Sequence, residues 1–369
     1  MSVDERDVDW GATGRRDEYR AVLVDPFTLQ ETGDVELKDG SSSISYSLNT
    51  DNQLQATIDL ADGDYRQDGY DRMVRLFHTV TIGGFSREYT MGTLFVSNLT
   101  NDSSFGTARR SLTCYGPMWR YTQDVLARDF VRHAGDNVVQ CIRDIIQHDG
   151  GILTLGDGVD TSKEHTIDVF FEVGKSRAEV LETYASWIDC EISTGLDGTI
   201  VLKPWMPPGA KEPVYLFEDG RNCVYTHGLT WETNRDEPTN RVVAYFSRES
   251  KQGDDPYPLA DSVYVDLPAT ADFSYERSGR RRTKTLQVQD PCSHEDLTAQ
   301  AQRHLDENSS ATLDIEIEHA GVPFLRVGDV VEYTNRLDSG VERMRCQVLE
   351  MSVDSLSPMC MTKTKMRVV

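Results

Sequence analysis

Residues 74–96 read VRLFHTVTIGGFSREYTMGTLFV, and this stretch decides the class of fold. Two runs of strand-forming residues flank Gly83-Gly84, and paired glycines between such runs are typical of a hairpin. The same period-two alternation recurs outside the stretch, at 44–48, 54–60 and 110–115. Short alternating runs separated by turn residues predict an antiparallel barrel or sandwich over residues 18–115.

The hydrophobic period changes in the next segment, residues 116–210. Asp136 is predicted to cap a helix, because apolar residues follow it at helical spacing and Gly150 comes just after them. Ser176 and Glu179 have the spacing of a capping box at the start of a second helix. Asp197-Gly198 suits the positive φ of a tight hairpin turn. The segment is therefore predicted to be a small α+β insertion.

Strand-like runs return in residues 211–369, interrupted by one helix that is predicted over about 291–308. The strand–loop–strand order of 88–115 recurs at 342–364, which indicates two related modules. The predicted fold is therefore α+β and mainly β, with two antiparallel β-barrel-like modules flanking the insertion. Residues 1–17 are charged and aperiodic, so we predict a flexible arm there.

Charge excludes several functions. The 369 residues include 61 Asp and Glu against 38 Lys and Arg, so the net charge is −23. A polyanion does not bind nucleic acid by neutralising phosphates, nor is it drawn to an anionic membrane. Arg280-Arg281-Arg282 with Lys284 is interpreted as a solvated strand or loop balanced by carboxylates. Because no apolar run approaches the ~20 residues of a membrane span, we expect no stable membrane insertion and no sequence-specific nucleic-acid binding.

Motifs for catalysis or metal binding are missing from the sequence. His294-Glu295 begins like a zinc motif, but Thr298 stands where the second histidine would be needed. Asp157–Asp160 lacks the ligand pattern of an EF-hand and is interpreted as a turn. The seven cysteines are odd in number and widely spaced, which fits neither a disulfide framework nor zinc ligands. We expect no enzyme, no catalytic residues, no cofactor and no metal.

Taken in order, five segments resemble the tail-hub or baseplate-hub family of tailed bacteriophages. They are Met91–Val96, Ile145–Ile152, Ser176–Ile200, Asn240–Ala244 and Pro323–Val331. The positions that match the family's motifs are Gly92, Asp197, Gly198, Asn240, Pro323, Gly328 and Asp329. One departure is Tyr115-Gly116-Pro117, which stands where hubs often carry an acidic residue.

This resemblance implies a structural virion protein of the tail tip or baseplate, made in the host cytoplasm. Hubs of this type form homotrimers in which six barrel-like modules make a pseudo-sixfold ring. The ring joins a hexameric distal tail or tail tube protein to a threefold spike, fibre or receptor-binding protein. The tape measure protein's C-terminus is a further expected partner. An acidic lumen would repel passing DNA and let it slide.

Two other functions stay open. A carbohydrate- or receptor-binding module at the tail tip would use exposed aromatic residues, and the candidates are Trp205, Tyr257 and Tyr264. A cryptic hydrolase would use a pair of carboxylates with perturbed pKa values in a cleft, which the sequence does not locate. Because the chain ends soon after the second module, we expect a minimal hub whose lytic or receptor-binding activity lies on other chains.

Overall fold

A computed structural model describes most of the chain. The described residues are 5, 8–38, 40–48, 53–61, 72–104, 107–165, 168–218, 224–225, 230–234, 238–247, 260–288, 294–309, 312–337, 340–358 and 361–369. Tyr257, Cys223, Cys292 and Cys360 lie outside these residues. None of the described helices is both long and apolar enough to cross a membrane.

The first β module contains seven antiparallel strands. They are β1 (Arg16–Val24), β2 (Glu31–Val35), β3 (Ser43–Ser47), β4 (Leu54–Leu60), β5 (Met73–Ile82), β6 (Phe85–Ser104) and β7 (Thr107–Tyr115). Their order in the sheet is β3-β4-β7-β6-β5-β1-β2. In β4 the alternate residues Leu54, Ala56 and Ile58 are buried in the module's core, so the predicted alternation is confirmed.

The first insertion follows the first module. Its elements are α1 (Trp119–Gln123), β8 (Phe130–Arg132), α2 (Val138–His148), β9 (Leu153–Leu155), β10 (Val169–Phe171), α3 (Arg177–Trp187), β11 (Cys190–Thr194) and β12 (Ile200–Pro204). The predicted capping box is confirmed, because Ser176 and Glu179 bond each other's backbone at the start of α3. The predicted cap of α2 was wrong by one residue. Asn137 caps that helix, whereas the Asp136 carboxylate accepts from the His133 N–H in the preceding turn.

The remaining chain forms the second β module and a second insertion within it. A 3-10 helix (Pro208–Ala210) leads to the module's strands β13 (Tyr215–Phe217), β14 (Thr230–Asn234), β18 (Thr312–Ala320), β19 (Val330–Leu337), β20 (Gly340–Val353) and β21 (Met361–Val368). The second insertion comprises β15 (Arg241–Ser247), β16 (Ala260–Asp266), α4 (Tyr275–Ser278), β17 (Thr283–Gln287) and α5 (His294–Asn308). It has a core of its own, built where α5 packs on β15 and β16. The helix predicted over about 291–308 corresponds to α5.

The two β modules repeat one strand order. The first runs β3-β4-β7-β6-β5 and the second runs β14-β18-β21-β20-β19, so equivalent strands occupy equivalent places. Both long hairpins also carry a bulge, between Val96 and Asn98 in β6 and between Val348 and Glu350 in β20. The repeat expected from sequence is therefore present as two copies of one topology, and the mainly β, α+β fold class is confirmed.

A seam between β3 and β20 joins the two modules. Ile44 pairs with Val353 and Ser47 pairs with Glu350 in an antiparallel ladder. The seam makes a single 13-stranded sheet out of both modules. Near it, the buried Tyr46 hydroxyl donates to the Met91 carbonyl at 2.8 Å, and burial raises the pKa of that hydroxyl.

Residues 8–17 form an N-terminal strap that lies over both modules. The predicted flexible arm over 1–17 was wrong for this part of it. Trp10 is fully buried in the core of the second module and also contacts Phe85 and Tyr89 of β6. The Arg15 guanidinium donates to the Trp10 carbonyl at 2.9 Å. A large aromatic side chain supplies enough buried area to hold a charged, aperiodic segment in place.

Candidate functional site

The hairpin turn between β11 and β12 docks the first insertion on the first module. The Thr93 hydroxyl of β6 donates to the Leu196 carbonyl at 2.8 Å. The Arg75 guanidinium of β5 donates to the Asp197 carbonyl at 3.0 Å and to the Thr93 hydroxyl at 2.9 Å. The Asp197 carboxylate itself accepts from Thr199 N–H and hydroxyl within the turn. Asp197, a predicted site position, therefore lies at the junction of two units.

Two of the predicted glycines allow close packing. Gly198 has a φ of +98°, and a Cβ there would lie 3.0 Å from Leu29 Cδ2 and 3.1 Å from Thr93 Cγ2. Gly92 does not have a positive φ. A Cβ at position 92 would instead lie 2.8 Å from Leu54 Cδ2, in the core of the first module. Gly198 therefore serves the junction and Gly92 serves the core.

Pro323, Gly328 and Asp329 shape the turn before β19. The Arg326 guanidinium donates to the Pro323 carbonyl at 2.7 Å, and the Asp329 carboxylate accepts from the Arg326 N–H at 2.8 Å. Gly328 has a φ of +86°, and its carbonyl accepts from Lys211 Nζ at 3.1 Å. Burial raises the pKa of the Asp329 carboxyl, although the hydrogen bond from Arg326 opposes that shift.

Asn240, the remaining predicted position, lies directly before β15 and organises the second insertion. Its side chain is buried, and its amide donates to the carbonyls of Phe273 and Arg280 at 3.1 and 2.7 Å. Its amide oxygen accepts from the Arg282 N–H at 2.8 Å. The residue that directly precedes β15 thus fixes the loop that leads into β17.

A buried ion cluster that sequence reasoning missed lies at the C-terminal end of the strap. Asp17 Oδ1 lies 2.7 Å from Arg15 Nη2 and 2.6 Å from His78 Nε2, and the Tyr19 ring stacks on His78. Burial acts to raise the pKa of Asp17, but the hydrogen bonds from His78 and Arg15 outweigh it and lower that pKa. The available signal was the alternation of Asp17 with Tyr19, which would have placed Asp17 on the buried face of β1. The signal was missed because residues 1–17 were expected to form an arm.

A central cleft opens where both modules and both insertions meet. Its volume is about 1070 Å³. The walls come from β3, the end of α3, β11, β12, the loop at 205–211, the end of α5, the turn before β19, the second half of β20 and the end of β21. Gly328 therefore lies in the cleft wall, whereas Gly92, Asp197 and Asn240 do not line it. No sequence signal indicated the cleft, because its walls lie far apart in the chain.

The aromatic candidates for glycan binding have different surroundings. The Arg303 guanidinium of α5 covers the Trp205 ring at 4.4 Å, so that ring is engaged within the protein. Tyr264 on β16 is 65% exposed, with the Arg241 guanidinium 4.5 Å from its ring centre. The basic run is partly paired as expected, because Arg281 contacts Asp266 at 3.4 Å.

The described residues offer neither a cluster of metal ligands nor, at Cys114 and Cys346, a reactive thiol. No cluster of three or more His, Cys, Asp or Glu side chains there has the geometry to hold a metal ion. Cys114 and Cys346 are buried, and burial raises the pKa of each thiol to about 12, so neither is a ready nucleophile. Asp160 accepts from the Ser162 N–H and hydroxyl, as a turn residue does.

Two β modules of equal topology, each followed or interrupted by an α+β insertion, define a class of two-module β proteins. Comparison with known proteins shows where that class occurs. No family model and no curated protein sequence matches the chain. Solved structures of phage and prophage tail proteins, however, match it over nearly its whole length.

Three of these structures illustrate the likeness. The tail protein from Neisseria meningitidis MC58 is 15% identical, with 95% of this chain and 96% of that chain covered and a TM-score of 0.62. Prophage tail protein gp18 from Listeria monocytogenes EGD-e is 10% identical, with 94% of each chain covered and a TM-score of 0.59. The 43 kDa tail protein of prophage MuSo2 from Shewanella oneidensis is 12% identical, with 95% and 98% covered and a TM-score of 0.57. The chain has the fold of these tail proteins, so the resemblance stated from sequence is confirmed for the fold.

Proposed function

We propose that the protein is a structural, non-catalytic hub of a phage tail or baseplate, which closes into a homotrimeric ring. The observation that carries this proposal is the repeat of one strand order in two modules, fused by the β3–β20 seam. Three copies of a chain with two equivalent modules present six equivalent units around one axis. Such a ring matches a sixfold tube on one face and a threefold tip on the other.

The proposed partners follow from that symmetry. One face of the ring contacts a hexameric distal tail or tail tube protein, and the other contacts a spike, fibre or receptor-binding protein. The tape measure protein's C-terminus ends in the channel before DNA passes. The edge strands β2, β13 and β14 end the sheet in the described residues, and a ring-closing contact uses two different surfaces of each protomer.

Native mass spectrometry at high protein concentration tests the ring. We expect a species of about three times 41.6 kDa. Because some rings close only on a template, the same measurement is repeated with the hexameric tail protein of the same phage. A chain that stays monomeric alone and with that hexamer contradicts the proposal.

The channel of the ring is proposed to be acidic, because the chain carries a net charge of −23. Like charges repel in a confined channel, so DNA would slide through it without binding. A density map of the ring tests this directly. Acidic side chains confined to the outer wall contradict the proposed role of the lumen in DNA ejection.

A second candidate function is binding of a surface glycan, and the exposure of Tyr264 favours it. An exposed aromatic ring can stack on the apolar face of a sugar. A glycan array probed with the intact chain tests this function. We would expect binding that Tyr264→Ala abolishes and that Tyr275→Ala, a second exposed tyrosine, leaves unchanged. Absence of binding on the array contradicts this candidate.

A further inference from the structure

The seam inside the chain joins strands that do not correspond to each other in the two modules. In chain order, β3, β4, β5, β6 and β7 of the first module correspond to β14, β18, β19, β20 and β21 of the second. The seam pairs β3 with β20. The counterparts of these two strands are β14 and β6, so a second seam of the same kind would pair β14 with β6.

Both counterparts keep a strand edge that the described residues leave open. Within those residues, β14 ends the sheet and pairs with β18 alone. β6 pairs with β5 up to Phe95, and from Asn98 onward β7 is the one strand that pairs with it in the described chain. In β20 the residues from Glu350 onward pair with β3 on that side. An open edge carries backbone donors and acceptors that can pair with another strand.

The bulges of the long hairpins set the two modules in register. The bulge lies at the same place in both ladders, so Asn98 of β6 corresponds to Glu350 of β20. Matching rows then cross the two modules, namely Ile44, Ala56, Cys114 and Val96 in the first and Trp231, Ile315, Met366 and Val348 in the second. One step beyond the bulge, Leu99 packs on the core of the first module as Met351 packs on that of the second.

We propose that β6 of one copy pairs antiparallel with β14 of the next copy, in the register of the β3–β20 seam, and that this contact closes the ring. The inference rests on the proposed ring and names the surfaces that close it. Inside the chain Ser45 pairs with Ser352. The same register between copies places position 232 of β14 opposite Thr100 of β6.

The chain itself indicates that a second copy is the partner. Each open edge corresponds to a strand that already has such a partner inside the chain, so β14 fits β6 as β3 fits β20. Six strands separate β14 from β6 in the sheet of one copy, and the two do not pair with each other in its described residues. The contact therefore joins two different surfaces of neighbouring copies, which is the kind of contact that closes a ring. Three seams inside chains and three between chains then alternate around one axis.

A disulfide between copies tests the register. The intact chain carries Thr100→Cys and Glu232→Cys together, and diamide, which takes up the two thiol hydrogens, is the oxidant. It is added to samples in which native mass spectrometry measures the trimer. Facing residues of antiparallel strands have Cα atoms about 4.5–5.5 Å apart, which lies within the range of about 4.4–6.8 Å that disulfides span. We expect a covalent trimer on a non-reducing gel, and a reductant should remove it.

Matched variants calibrate the cross-link. Ser45→Cys with Ser352→Cys places the same pair at the seam inside the chain and should form its disulfide within a monomer. Thr100→Cys with Thr233→Cys is one residue out of register, so the two thiols would point to opposite faces of the sheet. We expect the in-register pair to react at least about tenfold faster than this control. The unaltered chain, which has seven cysteines, gives the background.

Hydrogen exchange tests the same contact in the unaltered chain, should a cysteine variant fail to fold. The Leu48 N–H donates to the Leu349 carbonyl at 2.9 Å, and antiparallel bonding alternates along a strand, so the Met351 amide points at β3. Leu99 corresponds to Met351, and its amide would therefore point at β14 of the next copy. We expect exchange of the Leu99 amide to be at least about tenfold slower in the trimer than in the diluted monomer.

The outcomes separate this seam from the ring itself. A trimer in which the folded in-register variant does not cross-link, or in which Leu99 exchange is unchanged, contradicts the seam and leaves the ring standing. Equal reaction of the in-register and out-of-register pairs also contradicts the seam. Cross-linked species longer than a trimer support the seam and contradict a closed ring. A chain that stays monomeric, alone and with the hexameric tail protein, contradicts the ring and the seam with it.

Discussion

Asn240 is buried, and its side chain bonds only to backbone groups of the loop that leads into β17. The buried His319 likewise has both ring nitrogens engaged, with the Ala320 carbonyl and the Thr364 hydroxyl at 2.8 Å each. At the residue scale, such polar side chains in the interior specify how a strand or loop is held. Each therefore yields a prediction that a single substitution can test.

Asn240→Ala removes the partner of three backbone groups, two carbonyls and one N–H. We expect the free energy of unfolding to fall by about 1–3 kcal/mol, the usual cost of leaving buried polar groups unsatisfied. Urea denaturation measures the change. Gln123→Ala, at an exposed residue, is the control and should change the free energy by less than about 0.5 kcal/mol. Equal effects of the two variants would show that the Asn240 bonds do not hold the loop.

The pH dependence of stability should report His319, because burial lowers its pKa from 6.5 to about 4. Between these two values the unfolded chain binds a proton at this site and the folded chain does not. Stability therefore decreases as the pH falls from about 6.5 to 4. Denaturation between pH 7 and 4.5 should show this slope in the native chain and a shallower slope in His319→Gln. His133→Gln, at a side chain that is 73% exposed, should keep the native slope.

At the scale of elements, two short segments hold larger parts of the molecule together. The strap joins the two modules, and the β11–β12 turn joins the first insertion to the first module. The strap contacts both modules through Trp10. The turn joins the first insertion to the first module through Thr93 and Arg75. Each contact depends on one residue in a confined space, Trp10 in the strap and Gly198 in the turn. Substitution of either residue should therefore weaken the contact and lower stability.

Gly198→Ala should destabilise the junction more than a positive φ alone would. Position 198 combines a φ of +98° with contacts of 3.0–3.3 Å to Leu29 and Thr93. Gly174 has a φ of +91° and no atom within 4 Å of its would-be Cβ, so Gly174→Ala measures the backbone cost alone. That cost is about 1–2 kcal/mol, and we expect Gly198→Ala to exceed it in thermal or urea unfolding. Indistinguishable variants would mean that the turn can shift without loss.

Trp10→Ala should cost about 3–5 kcal/mol of stability, as truncation of a fully buried aromatic residue does. Trp10→Phe keeps part of the packing and should cost less. Limited proteolysis should then cleave the strap early in Trp10→Ala and late in the native chain. If the native strap is cleaved as fast as the variant, the segment is not held by Trp10.

Much of the fold could be predicted from local patterns. Alternation in β4 and the capping box at Ser176 depend on neighbours within a few residues, and both were predicted correctly. The strap was not predicted, because a single tryptophan among charged residues shows no hydrophobic periodicity. The cleft and the β3–β20 seam depend on pairings between distant segments, which no local pattern encodes. The second insertion was treated as part of its module for the same reason. Its strands follow the same period as those around it.

At the scale of the whole molecule, the net charge of −23 opposes association of copies. Salt screens this repulsion, since the Debye length falls from about 10 Å at 0.1 M to about 3 Å at 1 M. We expect the trimeric fraction in sedimentation velocity to rise with sodium chloride. Sucrose at equal osmolality is the control and should leave the fraction unchanged. Dissociation by salt would instead indicate that ion pairs between copies hold the assembly.

The β3–β20 seam also sets the timing of synthesis. Ile44 pairs with Val353, a separation of 353 − 44 = 309 positions. A ribosome that adds about 5–20 residues per second makes β20 roughly 15 to 60 seconds after β3. The first module therefore emerges with an open strand edge, which stays unpaired until β20 has been made. Nascent chains crowded on one message are most exposed to wrong pairing at β3 during that interval.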